Sequence, residues 1–285
     1  MKITVAMRVI GGFAIITLLL LVISLSSLFN INSIGSSVDN VNDKAMPALN
    51  EVAAIKVDTL ELSGLQLETY YAESLSAIES YRGEFDTSEE SLMSSLEDLQ
   101  QLVKGEGQSS LINGTESSVT QYVDLIDQLF NYQREYLELR GTTADQLDEI
   151  AFSIDDAAIM LLDTMDMSNN EVVAREASNV ESSLSSLITL MYDLNKTNDL
   201  DSANVIKSEI DINIDSIRPR LDALDNESTG SAEQMVDDAV TTVRNAIDQL
   251  QGSGSYPNNV ILRQQRRVDA GQALEQAQQQ SDTLM

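Results

Sequence analysis

The sequence predicts an all-α protein in which two four-helix bundles, stacked end to end, follow an N-terminal transmembrane helix. Three observations lead to this fold class. Leu, Ala, Ser, Asp, Glu and Gln dominate the composition, and the chain has only three prolines and 5% aromatic residues. Apolar residues recur at steps of three and four over most of the chain, and no segment shows the two-residue period of a strand.

The N-terminal segment Val9–Leu28 contains no charged residue. As a helix it would span roughly 30 Å, which is the thickness of a bilayer core. Lys2 and Arg8 precede it, so the positive-inside rule places residues 1–8 in the cytoplasm and residues 29–285 on the other side. A cleaved signal peptide is the alternative. The apolar run is longer than a usual signal core and no clear Ala-x-Ala site follows, which favours an uncleaved anchor.

The charge balance and the missing residue types exclude several functions. With 46 acidic and 17 basic residues the net charge is −29, and such a surface repels nucleic acid. The chain has no His and no Cys, which removes imidazole bases, thiol nucleophiles and thiolate zinc sites. No phosphate-binding loop is present. We therefore expect no enzyme activity, no cofactor and no metal site.

The helical body is predicted to begin with one long helix. Two neighbouring apolar stripes indicate a helix over residues 39–82, about 65 Å long, with Pro47 either kinking it or marking its start. Later boundaries are predicted at Thr87 with Glu90, at Gly105 and Gly107, at Asn113-Gly114-Thr115, at Gly141 with Thr142 and Thr143, at Ser168 with Glu171, and at turns over 198–199, 225–230 and 252–257.

These boundaries give about eight helical segments, enough for two four-helix bundles. We expect the outer bundle to contain roughly residues 62–165. The membrane-proximal bundle would contain roughly residues 36–61 together with residues 166–285. At Ser168 the sequence leaves open whether the helix breaks or continues.

The last helix contains an unusual seam. Its best seven-residue register places two arginines among the buried positions Val260, Arg263, Arg267, Ala270, Leu274, Ala277, Ser281 and Leu284. An unpaired guanidinium in a bundle core costs several kcal/mol. A bound carboxylate would compensate that cost through two parallel hydrogen bonds, which makes Arg263 and Arg267 candidate ligand residues. An internal salt bridge, or a rotated register that leaves the arginines in water, is the alternative.

Two further cations complete the candidate ligand site. Lys56 lies on the second stripe of the long first helix, where it either faces the same pocket as Arg263 or extends its ammonium to water along its own stem. Arg175 follows a candidate helix start near the same level. Both remain candidates for binding the same anion.

The segments MKITVAMRVIGGFAIITLLLLVISLSSL, INSIGSSVDNVNDKAMPALNEVA and VILRQQRRVDAGQALEQAQQQSDTLM resemble the N-terminal part of a bacterial methyl-accepting chemotaxis protein. The resemblance extends over essentially the whole chain and is closest to the helical bimodular sensor domain of such receptors. It implies six helices in two stacked bundles, small organic acids bound inside them, a homodimer, and a second transmembrane helix with a cytoplasmic signalling rod.

The expected function is therefore the periplasmic ligand-binding domain of a chemoreceptor in the bacterial inner membrane. It would sense a small carboxylate and transmit a helix displacement across the membrane. The alternatives are the input domain of a sensor histidine kinase, a sensor for an amine or another cation, which the negative surface favours, and a membrane-anchored helical scaffold without a ligand.

Overall fold

A computed structural model describes residues 20, 23–29, 35, 37–103, 109–228 and 233–284, and within these ranges it contains helices and short connections but no strand. The predicted all-α class is confirmed. After a π-helical stretch at Val41–Ala45, the helices are α1 (Met46–Tyr70), α2 (Leu75–Leu102), α3 (Ser109–Met167), α4 (Glu171–Lys196), α5 (Leu200–Glu227), α6 (Glu233–Leu250) and α7 (Tyr256–Leu284).

Most of the predicted transmembrane segment, residues 9–28, lies outside the described residues. Among the residues that are described, no helix combines the length and the apolar character needed to cross a bilayer.

The chain forms two compact units. Unit 1 contains the described residues up to Leu62, residues 86–120, and the end of α7 from Thr283. Unit 2 contains residues 63–85 and 121–282. The predicted assignment of residues 62–165 to an outer bundle and of residues 166–285 to a membrane-proximal bundle refers to the membrane and stays a prediction.

The main core of unit 2 is a helical bundle made by the second half of α3 together with α4, α5 and α6. Helix α4 shows why these segments fold this way, since its buried residues recur at steps of three and four and form one apolar stripe. They are Val173, Ala177, Val180, Leu184, Leu187, Met191 and Leu194. These positions follow the recurrence of apolar residues at steps of three and four that the sequence shows.

The predicted helix over residues 39–82 is wrong, because α1 ends at Tyr70 and α2 begins at Leu75. Ser74 begins the new helix: its hydroxyl accepts a hydrogen bond from the backbone N–H of Ala77 at 3.2 Å. Pro47 is the second residue of α1 and lies two residues after the end of the π-helical stretch. Proline has no N–H to donate to the fourth residue before it, and the wider π turn accommodates this lost bond.

Helix α3 is continuous over 59 residues, so the predicted boundary at Gly141 is wrong. The hydroxyl of Thr142 donates to the carbonyl of Glu138 at 3.0 Å, and that of Thr143 donates to the carbonyl of Arg140 at 3.3 Å. Both threonines thus bond back to their own helix and cap no new one. The helix starts predicted at Thr87 and at Asn113 are also wrong. Thr87 lies inside α2, and Asn113 lies inside α3.

The break at residues 168–170 is real, but Asn170, and not Ser168, caps α4. The Asn170 side-chain oxygen accepts a hydrogen bond from the N–H of Val172 at 2.9 Å. The side-chain amide of Asn170 donates to the carbonyl of Glu227, at the end of α5. The turns predicted around residues 198–199 and 252–257 are confirmed by the α4–α5 and α6–α7 connections.

Tyr256 fixes the start of α7 against α4. Its side chain is fully buried, and its hydroxyl donates to the carbonyl oxygen of Met191 at 2.8 Å. Burial raises the pKa of this phenol, and the nearby charge of Arg263 opposes the rise. The neutral phenol is therefore the form that the folded state favours.

We expect Gly141→Ala to raise the free energy of unfolding by about 0.5–1 kcal/mol, because alanine is the better residue inside a continuous helix. A Cβ atom at residue 141 would meet no atom within 4 Å. Urea denaturation measures the change. Gly252→Ala is the control and should destabilise, since Gly252 has φ of +96°. A loss of stability in Gly141→Ala would contradict the continuous helix.

We expect Tyr256→Phe to lose about 1 kcal/mol of stability at pH 7, because the hydrogen bond to Met191 is removed. The difference should shrink above about pH 10. The phenol pKa is higher in the folded than in the unfolded chain, so the stability it contributes is complete below the unfolded pKa, about 10, and falls as the pH rises toward the folded value.

Urea denaturation of both proteins at pH 7 and pH 11 checks this expectation. Tyr71→Phe is the control, because Tyr71 is 72% exposed. A stability difference between wild type and Tyr256→Phe that stays constant with pH would show that the phenol does not titrate as its burial requires.

Candidate ligand site at the α4–α5 connection

One face of α7 lies in the interior of unit 2, as its predicted seam requires. The buried residues of this helix are Tyr256, Pro257, Val260, Arg263, Gln264, Ala270, Ala273, Leu274, Ala277 and Ser281. The seam is confirmed at most positions and wrong at Arg267, whose side chain is exposed. Gln264 occupies the interior position of that turn, which leaves the second arginine hydrated.

Arg263 is buried, with 7% of its surface exposed, and neutral oxygen atoms surround its guanidinium. Its Nη1 donates to the Thr143 hydroxyl at 2.8 Å and to Asn195 Oδ1 at 2.9 Å. Its Nη2 donates to the backbone carbonyl of Asn195 at 2.9 Å. One arginine from α7 therefore joins α3 to the last turn of α4.

The position of Asn195 explains how a cation is tolerated there. Asn195 is the residue before Lys196, the last residue of α4. Its carbonyl is therefore one of the final four carbonyls of the helix, which have no partner within the helix. The carboxyl end of a helix carries partial negative charge, so a guanidinium at this point is stabilised by both hydrogen bonding and the helix dipole.

No carboxylate neutralises Arg263 among the described residues, in contrast to the predicted alternative of an internal salt bridge. Burial lowers the pKa of its guanidinium, and Arg140 is a further nearby positive charge. Thr143 and Asn195 supply dipoles only. The site therefore holds a positive charge for which the described part of the chain provides no counter-ion.

The donors of Arg263 are only partly used. A guanidinium has five N–H groups. The bonds to Thr143 and Asn195 use three of them, both on Nη1 and one on Nη2. The Nε–H and the second N–H of Nη2 remain. Such a pair of N–H donors is what a carboxylate accepts in a bidentate bond.

Two neighbours of Arg263 on α7 contact the α4–α5 connection as well. The side-chain amide of Gln264 donates to the carbonyl of Thr197 at 2.7 Å. Nη1 of Arg267 donates to Asn198 Oδ1 at 3.0 Å. Side chains of three α7 residues thus bond to residues 195–198. Arg267 is the exposed one of the three.

The other two predicted ligand residues lie elsewhere. Arg175 is exposed and pairs with Glu176 at 3.0 Å, and the same carboxylate also accepts from Arg220. That ion pairing supplies its counter-charge without a ligand. Lys56 is exposed and belongs to unit 1, whereas Arg263 belongs to unit 2. The described contacts bring neither cation to Arg263.

The partners of Arg263 are not among the predicted site residues. Thr143 is predicted at a helix start, but it stands four residues before Leu147 on the apolar stripe of α3 and so is a polar group in the core. Helical periodicity was enough to find it. For Asn195 no such signal exists, because its role depends on where α4 ends.

The N-terminal part of the chain is similar to a known protein family. Residues 2–136 match a family model described as a four helix bundle sensory module for signal transduction. The match extends through α1 and α2 into the first part of α3 and covers slightly less than half of the chain. No curated protein matches the sequence.

Solved structures with a similar fold include two of a TorS sensor domain. One is the TorS sensor domain in complex with TorT in the presence of TMAO, with 10% identity and a TM-score of 0.67. The other is the TorS sensor domain of a V. parahaemolyticus histidine kinase sensor, with 11% identity and a TM-score of 0.58. Each alignment covers 83% of this chain and 95% of the other. The chain therefore has the fold of helical sensor domains, and its first half is similar to a sensory module of signal transduction.

Proposed function

We propose that this chain is the ligand-binding input domain of a bacterial transmembrane chemoreceptor. The match of residues 2–136 to a signal-transduction sensory module supports this, as does the sensor-domain fold of the larger part of the chain. The uncharged segment at residues 9–28 is its proposed anchor in the inner membrane, with residues 29–285 in the periplasm.

The proposed ligand is a small organic carboxylate, and the observation that carries this proposal is the buried Arg263 without a carboxylate partner. The incoming anion would accept the Nε–H and the free Nη2 N–H. It would supply the counter-charge that Thr143 and Asn195 do not provide. Arg267, at the solvent side of the same connection, would attract the anion without holding it.

Ligand binding at this point would act on the relative position of two helices. Arg263 belongs to α7, and its partner Asn195 ends α4. A carboxylate bound to the remaining N–H groups of this guanidinium adds negative charge beside the contact with Asn195 and thereby changes how closely the two helices are held. A displacement of α7 by about 1–2 Å would be typical of a signal carried by helix shifts.

The input domain of a sensor histidine kinase is the second candidate. The similarity in fold to the TorS sensor domain of a histidine kinase sensor favours it. The two candidates share the same input chemistry and differ in output. The codons that follow Met285 in the gene would separate them: a Glu/Gln-rich heptad rod supports a chemoreceptor, and a kinase domain supports the alternative.

We also propose that the chain works as a homodimer paired through α1. In unit 1 this helix leaves Met46, Val57 and Leu60 exposed by 52%, 60% and 51%. Their spacing of eleven and three residues puts them along one side of the helix. Apolar residues aligned in this way on a helix surface are typical of a helix–helix contact.

We expect Arg263→Met to remain folded, because a methionine fills much of the same space without a buried charge. Acetate and succinate should raise the Tm of the wild-type full chain in detergent, because a ligand that binds only the folded state stabilises it. At a hundred times its Kd the stabilisation is about 2.7 kcal/mol. In Arg263→Met the acid-induced rise in Tm should disappear. In Arg263→Lys it should become smaller, because an ammonium cannot donate two parallel hydrogen bonds to a carboxylate as a guanidinium does.

Differential scanning fluorimetry with circular dichroism checks both folding and response. Arg218→Met is the charge-matched control, since Arg218 is exposed and bonded to Gln251, and it should keep the acid-induced shift. Stabilisation by an amine but by no acid would overturn the carboxylate proposal. If neither acids nor amines change the Tm of the wild type, the result would favour the alternative of a membrane-anchored helical scaffold without a ligand.

We expect Leu60→Glu to weaken the homodimer at least tenfold, because two like charges would be placed in its apolar contact. Sedimentation velocity of the full chain in detergent over a range of concentrations measures the dissociation constant. Phe152→Glu is the control, because Phe152 is 74% exposed on α3 and lies outside the proposed contact. Equal weakening by both variants would argue against pairing through α1.

A further inference from the structure

The two halves of α7 are packed differently in unit 2. In the first half, the large buried side chains of Tyr256 and Arg263 form hydrogen bonds to other helices. In the second half the interior positions are mostly small, and they are Ala270, Ala273, Leu274, Ala277 and Ser281. The interior positions of α4 are valine, leucine or methionine at all but one place. Because hydrophobic stabilisation grows with the apolar area removed from water, alanines hold a helix less firmly than those residues do.

The second half of α7 lies against α1 and α3. Its core cluster joins three α7 residues to Leu129 of α3, and Tyr70 of α1 packs against this cluster. A Cβ atom at Gly271 would lie 3.7 Å from the Tyr70 hydroxyl oxygen. The small residues of α7 therefore allow the three helices to approach closely, with little side-chain interlocking between them.

A buried polar layer lies in the same contact, toward the end of α7. It contains Ser63 and Gln66 of α1, Tyr122 of α3 and Ser281 of α7. Tyr122 and Gln66 are fully buried, and Ser281 is 1% exposed. Burial raises the pKa of the Tyr122 phenol to about 12, and the neighbouring hydroxyls of Ser281 and Ser63 oppose this rise. The side-chain amide of Gln66 donates to Ser63 Oγ at 3.4 Å.

The hydrogen bonds of the polar layer are incomplete. The hydroxyls of Tyr122 and Ser281 and the Oε1 atom of Gln66 are buried, and none of them completes a hydrogen bond of good geometry with a described residue. A buried polar atom in this state destabilises the contact that buries it. Tyr256 provides the contrast, because its equally buried hydroxyl donates to the Met191 carbonyl at 2.8 Å.

We propose that the polar layer keeps the second half of α7 weakly held against α1 and α3, so that this half changes position at a low free-energy cost. Segments with few buried apolar contacts are those that open or move most readily in a folded protein. Arg263 holds the first half to α4, about 27 Å along the helix from Ser281. A change at Arg263 would therefore be passed to a half that offers little resistance. Only this use in signalling rests on the proposed function.

Hydrogen–deuterium exchange of the full chain in detergent, followed by mass spectrometry, measures how often the contact opens. The double variant Tyr122→Phe/Ser281→Ala removes both hydroxyls and keeps nearly the same shape. Replacing incompletely bonded polar groups by apolar ones of the same shape strengthens a buried contact. Exchange at residues 63–69 and 273–281 should therefore become at least threefold slower than in the wild type.

Tyr256→Phe is the matched control, because it removes the hydroxyl of an equally buried tyrosine whose hydrogen bond is complete. It should make exchange at residues 257–264 about fivefold faster. Faster exchange at residues 63–69 in the double variant would overturn the proposal, since the two hydroxyls would then stabilise the contact. Unchanged exchange there would overturn it as well. Circular dichroism checks that each variant is folded.

A second measurement tests the use of this weak contact in signalling. The chain contains no cysteine, so Glu68→Cys in α1 and Glu275→Cys in α7 provide the two positions for spin labels. Both residues are exposed. Acetate should change the distance between the labels in the otherwise wild-type chain, and the change should be at most half as large when Tyr122→Phe/Ser281→Ala is added. An equal change in both would overturn the signalling role.

The two proposals fail in different ways. If the wild type does not respond to acetate, the carboxylate proposal fails, and the slower exchange expected of the double variant is unaffected. If the exchange result fails while acetate still raises the Tm of the wild type, the polar layer has no such role and the ligand site at Arg263 stands.

Discussion

The contact between Arg263 and the end of α4 is the interaction on which the arrangement of α7 depends. A guanidinium that is removed from water loses its hydration and must recover it from protein groups. Here it does so with neutral oxygens, and the carbonyl of Asn195 comes from the end of a helix whose peptide dipoles point toward it. The same bonds satisfy a carbonyl that has no partner within its helix. The cation and the helix end therefore stabilise each other, and α7 is held at a defined point along α4.

This arrangement makes the position of α7 sensitive to charge. The dipoles of Thr143 and Asn195 only partly replace a counter-ion, as the lowered pKa of Arg263 indicates. A carboxylate would interact with the guanidinium more strongly than these neutral oxygens do. Ligand binding would thus directly change the contact between Arg263 and Asn195, which positions α7 on α4. In the proposed receptor, that contact is where ligand recognition and helix displacement would meet.

Periodicity predicted much of the fold and little of the site. The stripe from Val173 to Leu194 is buried at the positions that an apolar residue at every third or fourth place marks, because each position depends only on the local helical repeat. Helix boundaries failed where cap-forming residues lie inside helices: Gly141 and Thr142 carry the residue types of a boundary, and α3 continues through them because its apolar stripe remains packed. The partners of Arg263 come from residues 68 and 120 positions away, and no local pattern encodes such pairings.

In a chain this acidic, a buried cation without a carboxylate partner among the described residues is informative, and Arg263 is such a cation. Arg82, Arg134, Arg175 and Arg244 each have a carboxylate within 3.0 Å, as abundant acidic side chains make easy. The net charge of −29 slows the approach of an anion at long range, but exposed charges are screened beyond about 8 Å in physiological salt. Within that distance an anion meets mainly the cation beside it. A strongly acidic exterior and a site for carboxylates are therefore compatible, provided that the cation of the site stays free of the acidic residues around it, as Arg263 does among the described residues.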